Sequence, residues 1–167
     1  MTRALEGIRV IDLTVWFQGP VSAQYLADFG AEVIKVERPQ GGDQARGVRS
    51  IKSLEIGDWN QYFLVINRNK KGLALDLKKP EAREIMYRLV EKSDVFLTNL
   101  GAENLARWEL SYEKLHAINP RLIYCAISGF GQSGPDAFKP AYDQIVQGLS
   151  GVMAINGDER LNPLRCG

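Results

Sequence analysis

Residues 8–36, IRVIDLTVWFQGPVSAQYLADFGAEVIKV, decide the fold class. Ile8–Leu13 is a short, continuous run rich in β-branched residues, the pattern of a strand buried on both faces. Pro20 then opens a helix: its fixed φ is already helical, and its missing N–H is one the first turn leaves unbonded. The helix over VSAQYLADF closes at Gly30, where a left-handed C′ residue is needed. Glu32–Val36 is a second short apolar strand. Strand, helix and strand at this spacing predict a right-handed crossover between parallel neighbours.

The alternation continues along the chain. Tyr62–Ile66 suits either a short helix or a strand, and Gly72–Leu77 is the third strand. Pro80 starts a helix that places Ala82, Ile85, Met86, Leu89 and Val90 on one face. Asp94–Leu97 is the fourth strand, followed by helical pieces at Leu105–Leu110 and Tyr112–Ile118, the second ended by Pro120. Leu122–Ser128 is the fifth strand, and Asp143–Met153 is a helix. The expected architecture is α/β, a Rossmann-like open, mostly parallel sheet with helices on both faces. At 167 residues the chain fits one domain with its own core. Residues 39–60 form a long polar loop, and loops of that length are more often functional than connective.

Composition narrows the function classes. Hydrophobic residues make up 45% and charged residues 25%, and the net charge is +1, so no global signal points to nucleic acid or a membrane. The charge is uneven, however: residues 35–79 hold 10 of the 21 Lys+Arg but only 5 of the 20 Asp+Glu. That stretch is the expected home of an anionic ligand. Cys125 and Cys166 do not make a disulfide scaffold, and the N-terminus has no long apolar stretch, so a soluble, cytoplasmic protein is expected. The lone histidine, His116, lies in a short helix and reads as structural, which leaves little for a metal site.

In open parallel sheets, ligands bind beyond the carboxyl ends of the strands. Here those ends are followed by Gln18-Gly19-Pro20, Arg38, Lys78, Asn99 and Gly129-Phe130-Gly131. A helix N-terminus, two cations, an amide and a glycine turn suit a phosphate-bearing ligand, although strand ends are polar in any case. Residues 129–134, GFGQSG, match G-x-G-x-x-G, but Pro135 and Pro140 follow and the strand is the fifth. A tight glycine turn beside a ligand is expected there rather than an NAD site. Asn67–Lys71 is basic, and a solvated turn and a phosphate-facing role both remain open. Asp28 and Asp76 suit capping or solvation, and Asp12, inside the first strand, needs buried partners. Trp16 and Phe17 suit a pocket wall or the core equally well.

Taken in order, LEGIRVIDLT…GP, GAEVIKVERPQGGDQARG, NRNKKGLALDLKKPEAREI, DVFLTN and NPRLIYCAISGFGQSGP resemble the N-terminal half of the family III CoA-transferases. That group includes formyl-CoA and carnitine-CoA transferases and the α-methylacyl-CoA racemases. The resemblance implies coenzyme A along the strand edge, with an acyl-CoA and a carboxylic acid as substrates. Arg38 matches a position at the adenosine end, and Leu75 and Lys78 match the stretch bordering the nucleotide. Asn99 and Arg107 match positions near the phosphates and the pantetheine path, and Leu100, Gly129, Phe130 and Gly131 are counted with them as CoA-binding. Trp16, Phe17 and Gln18 match the loop beside the reacting thioester; Gln18, Tyr142 and Asp143 have possible supporting roles.

The resemblance also implies a second domain, an interlocked homodimer of the full-length protein and an aspartate nucleophile just beyond Gly167. On that basis residues 1–167 are expected to form a truncated, inactive CoA-binding part, with no metal. The racemases carry a histidine where this chain has Tyr142, so the transferase branch is favoured. A racemase-type enzyme, a non-catalytic CoA- or nucleotide-binding module and an NAD-dependent enzyme are the alternatives.

Overall fold

In the computed structural model, which describes residues 3–48, 60–157, 160–161 and 163–166, β1 (Arg9–Leu13) is the middle strand of a five-stranded sheet. The others are β2 (Glu32–Glu37), β3 (Lys70–Ala74), β4 (Val95–Thr98) and β5 (Ile123–Ala126). Every pairing is parallel, and the order is β3-β2-β1-β4-β5. The sheet belongs to the unit formed by residues 1–127; residues 128–167 form a second unit.

Alternation along β1 explains why its sequence is apolar throughout. Val10 and Ile11 are both fully buried but face opposite layers. On one side Val10, Val33 and Leu97 pack on Ala23 and Ala27 of α1 (Gln18–Asp28). On the other, Ile11, Leu13, Val36 and Phe96 meet Ala82, Met86 and Val90 of α3 (Pro80–Val90). That layer also takes Leu105 of α4 (Ala102–Arg107) and Leu115 of α5 (Tyr112–Ile118). The α/β architecture is as the sequence predicts. Gly30 follows α1 with φ +106°, the left-handed residue expected there.

Several boundaries differ from the sequence reading. α1 begins at Gln18, which puts Pro20 inside the first turn. Tyr62–Ile66 is helical, within α2 (Gln61–Asn67), because Asn60 caps it by accepting from Phe63 N at 2.9 Å. The third strand spans 70–74 rather than 72–77, since Val33–Glu37 of β2 pair with Lys70–Ala74. Leu75 and Leu77 are core residues just past its end. Within the predicted loop 39–60, Gln44–Gly47 form a 3-10 turn capped by Asp43, and residues 49–59 lie outside the described residues.

In the second unit the predicted helix Asp143–Met153 is two helices, α6 (Asp143–Leu149) and α7 (Val152–Ile155). Gly151, at φ +80°, turns the chain between them. Tyr142 is the N-cap of α6; Asp143 is its first helical residue and accepts from Gln147 Nε2 at 2.7 Å.

Candidate functional site

A cleft of about 450 Å³ opens at the carboxyl ends of β1, β2 and β3. Residues 13–15, 36–40, 42–44 and 75–78 line it, with Leu100, Asn104 and Trp108 as the far wall. Parallel strands place these ends on one edge, so the cleft follows from topology. Arg38, Leu75, Lys78 and Leu100, all predicted from sequence, line it together.

Its charge is set by which ions are already paired. Lys35 lies 3.1 Å from Asp43, and both are buried. Lys70 lies 2.8 Å from Asp12, also buried, and donates to Pro20 O and Asn67 Oδ1 as well, both at 2.8 Å. Burial pushes the Lys70 ammonium down from its ordinary value, with Asp12 opposing. Arg46 holds Glu37 through both carboxylate oxygens, each at 2.7 Å, and sits over the Phe63 ring. Burial pushes the Glu37 carboxyl up, but Arg46 and the Asp43 N–H outweigh it and hold it below the ordinary value. Arg68 pairs with Asp28, and Lys71 with Glu32.

Among the described residues, Arg38 and Lys78 therefore carry no carboxylate partner. Both are exposed, and Arg38 spends only Nε, on Gly42 O at 2.9 Å. Asp76 is the cleft carboxylate left without an ion pair; its Oδ1 accepts from Lys78 N at 3.3 Å. Glu37 and Asp43 are neutralised by their partners. Two free cations against one free carboxylate suit an anionic ligand.

The loop after β1 is pinned residue by residue. Thr14 N donates to Asp12 Oδ1 at 3.1 Å, and Thr14 O accepts from Lys35 Nζ at 2.9 Å. Val15 is bracketed by Asn99: its N–H donates to Oδ1 at 2.9 Å and its carbonyl accepts from Nδ2 at 2.7 Å. Trp16 N donates to Asp43 Oδ1 at 3.1 Å while Trp16 sits at φ +69°. Asn99 thus holds the loop rather than lining the cleft. Trp16, Phe17 and Gln18 stand exposed beyond that bracket, with Phe17 and Tyr62 ring centroids 5.7 Å apart.

Other sequence expectations fall elsewhere. Arg107 is exposed at the end of α4 and outside the lining, whereas its neighbours Asn104 and Trp108 form the wall. The cations of Asn67–Lys71 are paired within the protein: Lys70 points inward to Asp12, Arg68 and Asn69 grip Asp28, each at 2.6 Å, and Lys71 pairs with Glu32. Asp12 has the buried partners it needed, and His116 stacks on Tyr112. Gly129, Phe130, Gly131, Tyr142 and Asp143 lie in the second unit. Residues 129–134 open no helix there, since α6 begins at Asp143, so the dinucleotide fingerprint is absent. Asp43, Asn104 and Trp108 were missed; Lys35 in the apolar run EVIKV was the readable signal, since a buried ammonium demands a carboxylate.

A 3-2-1-4-5 parallel sheet with a cation-bearing cleft at its strand ends defines a Rossmann-like α/β domain. The chain belongs to CoA-transferase family III, whose model matches residues 5–167. It is 45% identical, over 98% of its length, to succinate–glutarate CoA-transferase of Agrobacterium fabrum, of which it spans 42%. Against succinyl-CoA:glutarate CoA-transferase of Homo sapiens the identity is 40% over 99% of this chain and 37% of that one. The chain thus spans about two fifths of the curated relatives it matches. The crystal structure of a CAIB/BAIF family protein from Brucella suis is similar with TM-score 0.90 and 38% identity, covering 100% of this chain and 44% of that one.

Proposed function

We propose that residues 1–167 are the CoA-binding N-terminal part of an acyl-CoA:carboxylate CoA-transferase, and that the strand-end cleft takes the nucleotide of coenzyme A. The observation that carries this reading is the pair Arg38 and Lys78, both on the cleft wall and both free of carboxylates among the described residues. Relatives named as succinyl-CoA and acetyl-CoA transferases support the transfer branch, as does the resemblance, which implies a histidine in racemases where this chain has Tyr142.

The chemistry proposed for the whole protein is covalent. An aspartate carboxylate attacks the acyl carbonyl, expels the CoA thiolate and forms a mixed anhydride. The thiolate attacks the aspartyl carbonyl, releasing the first acid and leaving an aspartyl-CoA thioester. The acceptor carboxylate attacks that thioester, and the expelled thiolate takes the acceptor's acyl group, freeing the aspartate. Asp12, Asp28 and Asp43 are each committed to a cation, which argues against those three as the nucleophile. In this reading the fragment binds but does not transfer, and the full protein works in the cytoplasm as a dimer with a second domain.

Calorimetry with CoA tests the binding claim. A charge-assisted hydrogen bond contributes about 1.5–3 kcal/mol, so Arg38→Ala and Lys78→Ala should each weaken binding roughly tenfold to a hundredfold. Unchanged affinity in both variants overturns the placement.

A further inference from the structure

The loop after β1 and the loop after β2 share one buried carboxylate. Asp43 belongs to the segment that lines the cleft beside Arg38, and it is 2% exposed. Its Oδ1 accepts from Trp16 N at 3.1 Å and from Ala45 N at 2.9 Å, so one oxygen holds both loops. Its Oδ2 faces Lys35 Nζ at 3.1 Å and takes no hydrogen bond. Lys35 in turn donates to Thr14 O, two residues before Trp16.

Trp16 is where this matters. A bulky residue at φ +69° is disfavoured because its Cβ crowds the backbone, and such a conformation persists only when neighbours fix it. Val15 is fixed independently by Asn99. Trp16 N–H has Asp43 as its sole acceptor among the described residues. We propose that Asp43 is a positioning residue that holds Trp16, and with it the exposed Trp16–Gln18 segment, in the conformation that receives the thiol-bearing arm of CoA. The inference rests on the proposed function, because it takes the arm to run from Arg38 toward that segment.

The test separates the arm from the nucleotide. Asp43→Ala removes the carboxylate and with it the acceptor of both Trp16 N and Ala45 N. CoA affinity should fall about tenfold, as expected when the binding-competent loop becomes a minor state. Affinity for adenosine 3′,5′-bisphosphate, which lacks the arm, should fall by less than the affinity for CoA on the same population arithmetic. In hydrogen exchange the Trp16 amide should lose protection while Val15 and β1 amides keep theirs. A purely structural role would weaken both ligands alike and expose β1 too; that result, or an unchanged Trp16 amide, overturns the proposal. If Asp43→Ala does not fold, Lys35→Met with Asp43→Leu removes the acceptor without stranding a charge. A wild-type chain that binds neither probe overturns the proposed function, while exchange at Trp16 still decides what Asp43 holds.

Discussion

Replacing Lys70 by Met should be the most damaging change of a single charge in the sheet. The side chain is 2% exposed, and its ammonium pairs with Asp12 at 2.8 Å and makes two further hydrogen bonds, to Pro20 O and Asn67 Oδ1. It therefore ties β3 to β1, α1 and α2 at once. Methionine fills much of the stem volume, so the loss is mainly electrostatic: Asp12, 0% exposed, keeps its Thr14 donors and loses its counter-ion. Breaking a buried pair from one side costs about 3–5 kcal/mol. Lys35, the register partner of Asp12 on β2, offsets part of this, so about 3 kcal/mol is expected. In urea the midpoint should fall with an unchanged slope, and the melting temperature should drop by about 6–12 °C. Adding Asp12→Asn, which removes the stranded charge but keeps an acceptor for Thr14, should recover at least half of the loss. A cost below about 1 kcal/mol, the value of a solvent-exposed pair, would refute the description of this contact as a buried tie.

Gly19→Ala should destabilise the start of α1 by about 1–3 kcal/mol, measured by urea unfolding, because the added Cβ would lie 2.5 Å from Thr14 Cβ and 2.7 Å from its Cγ2. An unchanged midpoint would mean that the helix start gives way freely. Arg46→Gln should raise the pH of acid unfolding, followed by far-ultraviolet ellipticity. Glu37 is held below its ordinary 4.5 in the folded state, so its contribution is full above that value and is lost as pH falls through the lower folded one. Without Arg46, the raising effect of burial dominates and the loss begins at higher pH; an identical acid limb in both proteins would contradict this.

The sheet was legible because its signals are local. A β-branched run, Pro20 in a first turn and Gly30 at a helix end each act within a few residues, and together they fixed strand, helix, strand before any contact was known. Errors fell where a boundary depends on a neighbour. β3 starts at Lys70 because β2 offers Val33 as its partner, which nothing in NRNKKGLALDL announces. The turn at Gly151 that divides α6 from α7 could have been suspected from Ser150-Gly151 alone. Asn104 and Trp108 escaped notice because they reach the cleft from α4 and the turn after it, not from a strand end.

Charge bookkeeping located the cleft for a reason that the structure refines. The basic stretch 35–79 was the expected home of an anionic ligand, yet most of its described cations are consumed internally. Lys35 and Lys70 neutralise buried aspartates, Arg46 fixes Glu37, and Arg68 and Lys71 bind Asp28 and Glu32. Those pairs hold the loops that shape the cleft, and of the three described cations they leave over, Arg38, Lys78 and Lys79, the first two line it. An excess of positive charge in sequence thus divides into a structural share and a ligand share. Only the second follows salt: weakening ligand binding by added salt should reflect Arg38 and Lys78, while the buried pairs stay largely unscreened.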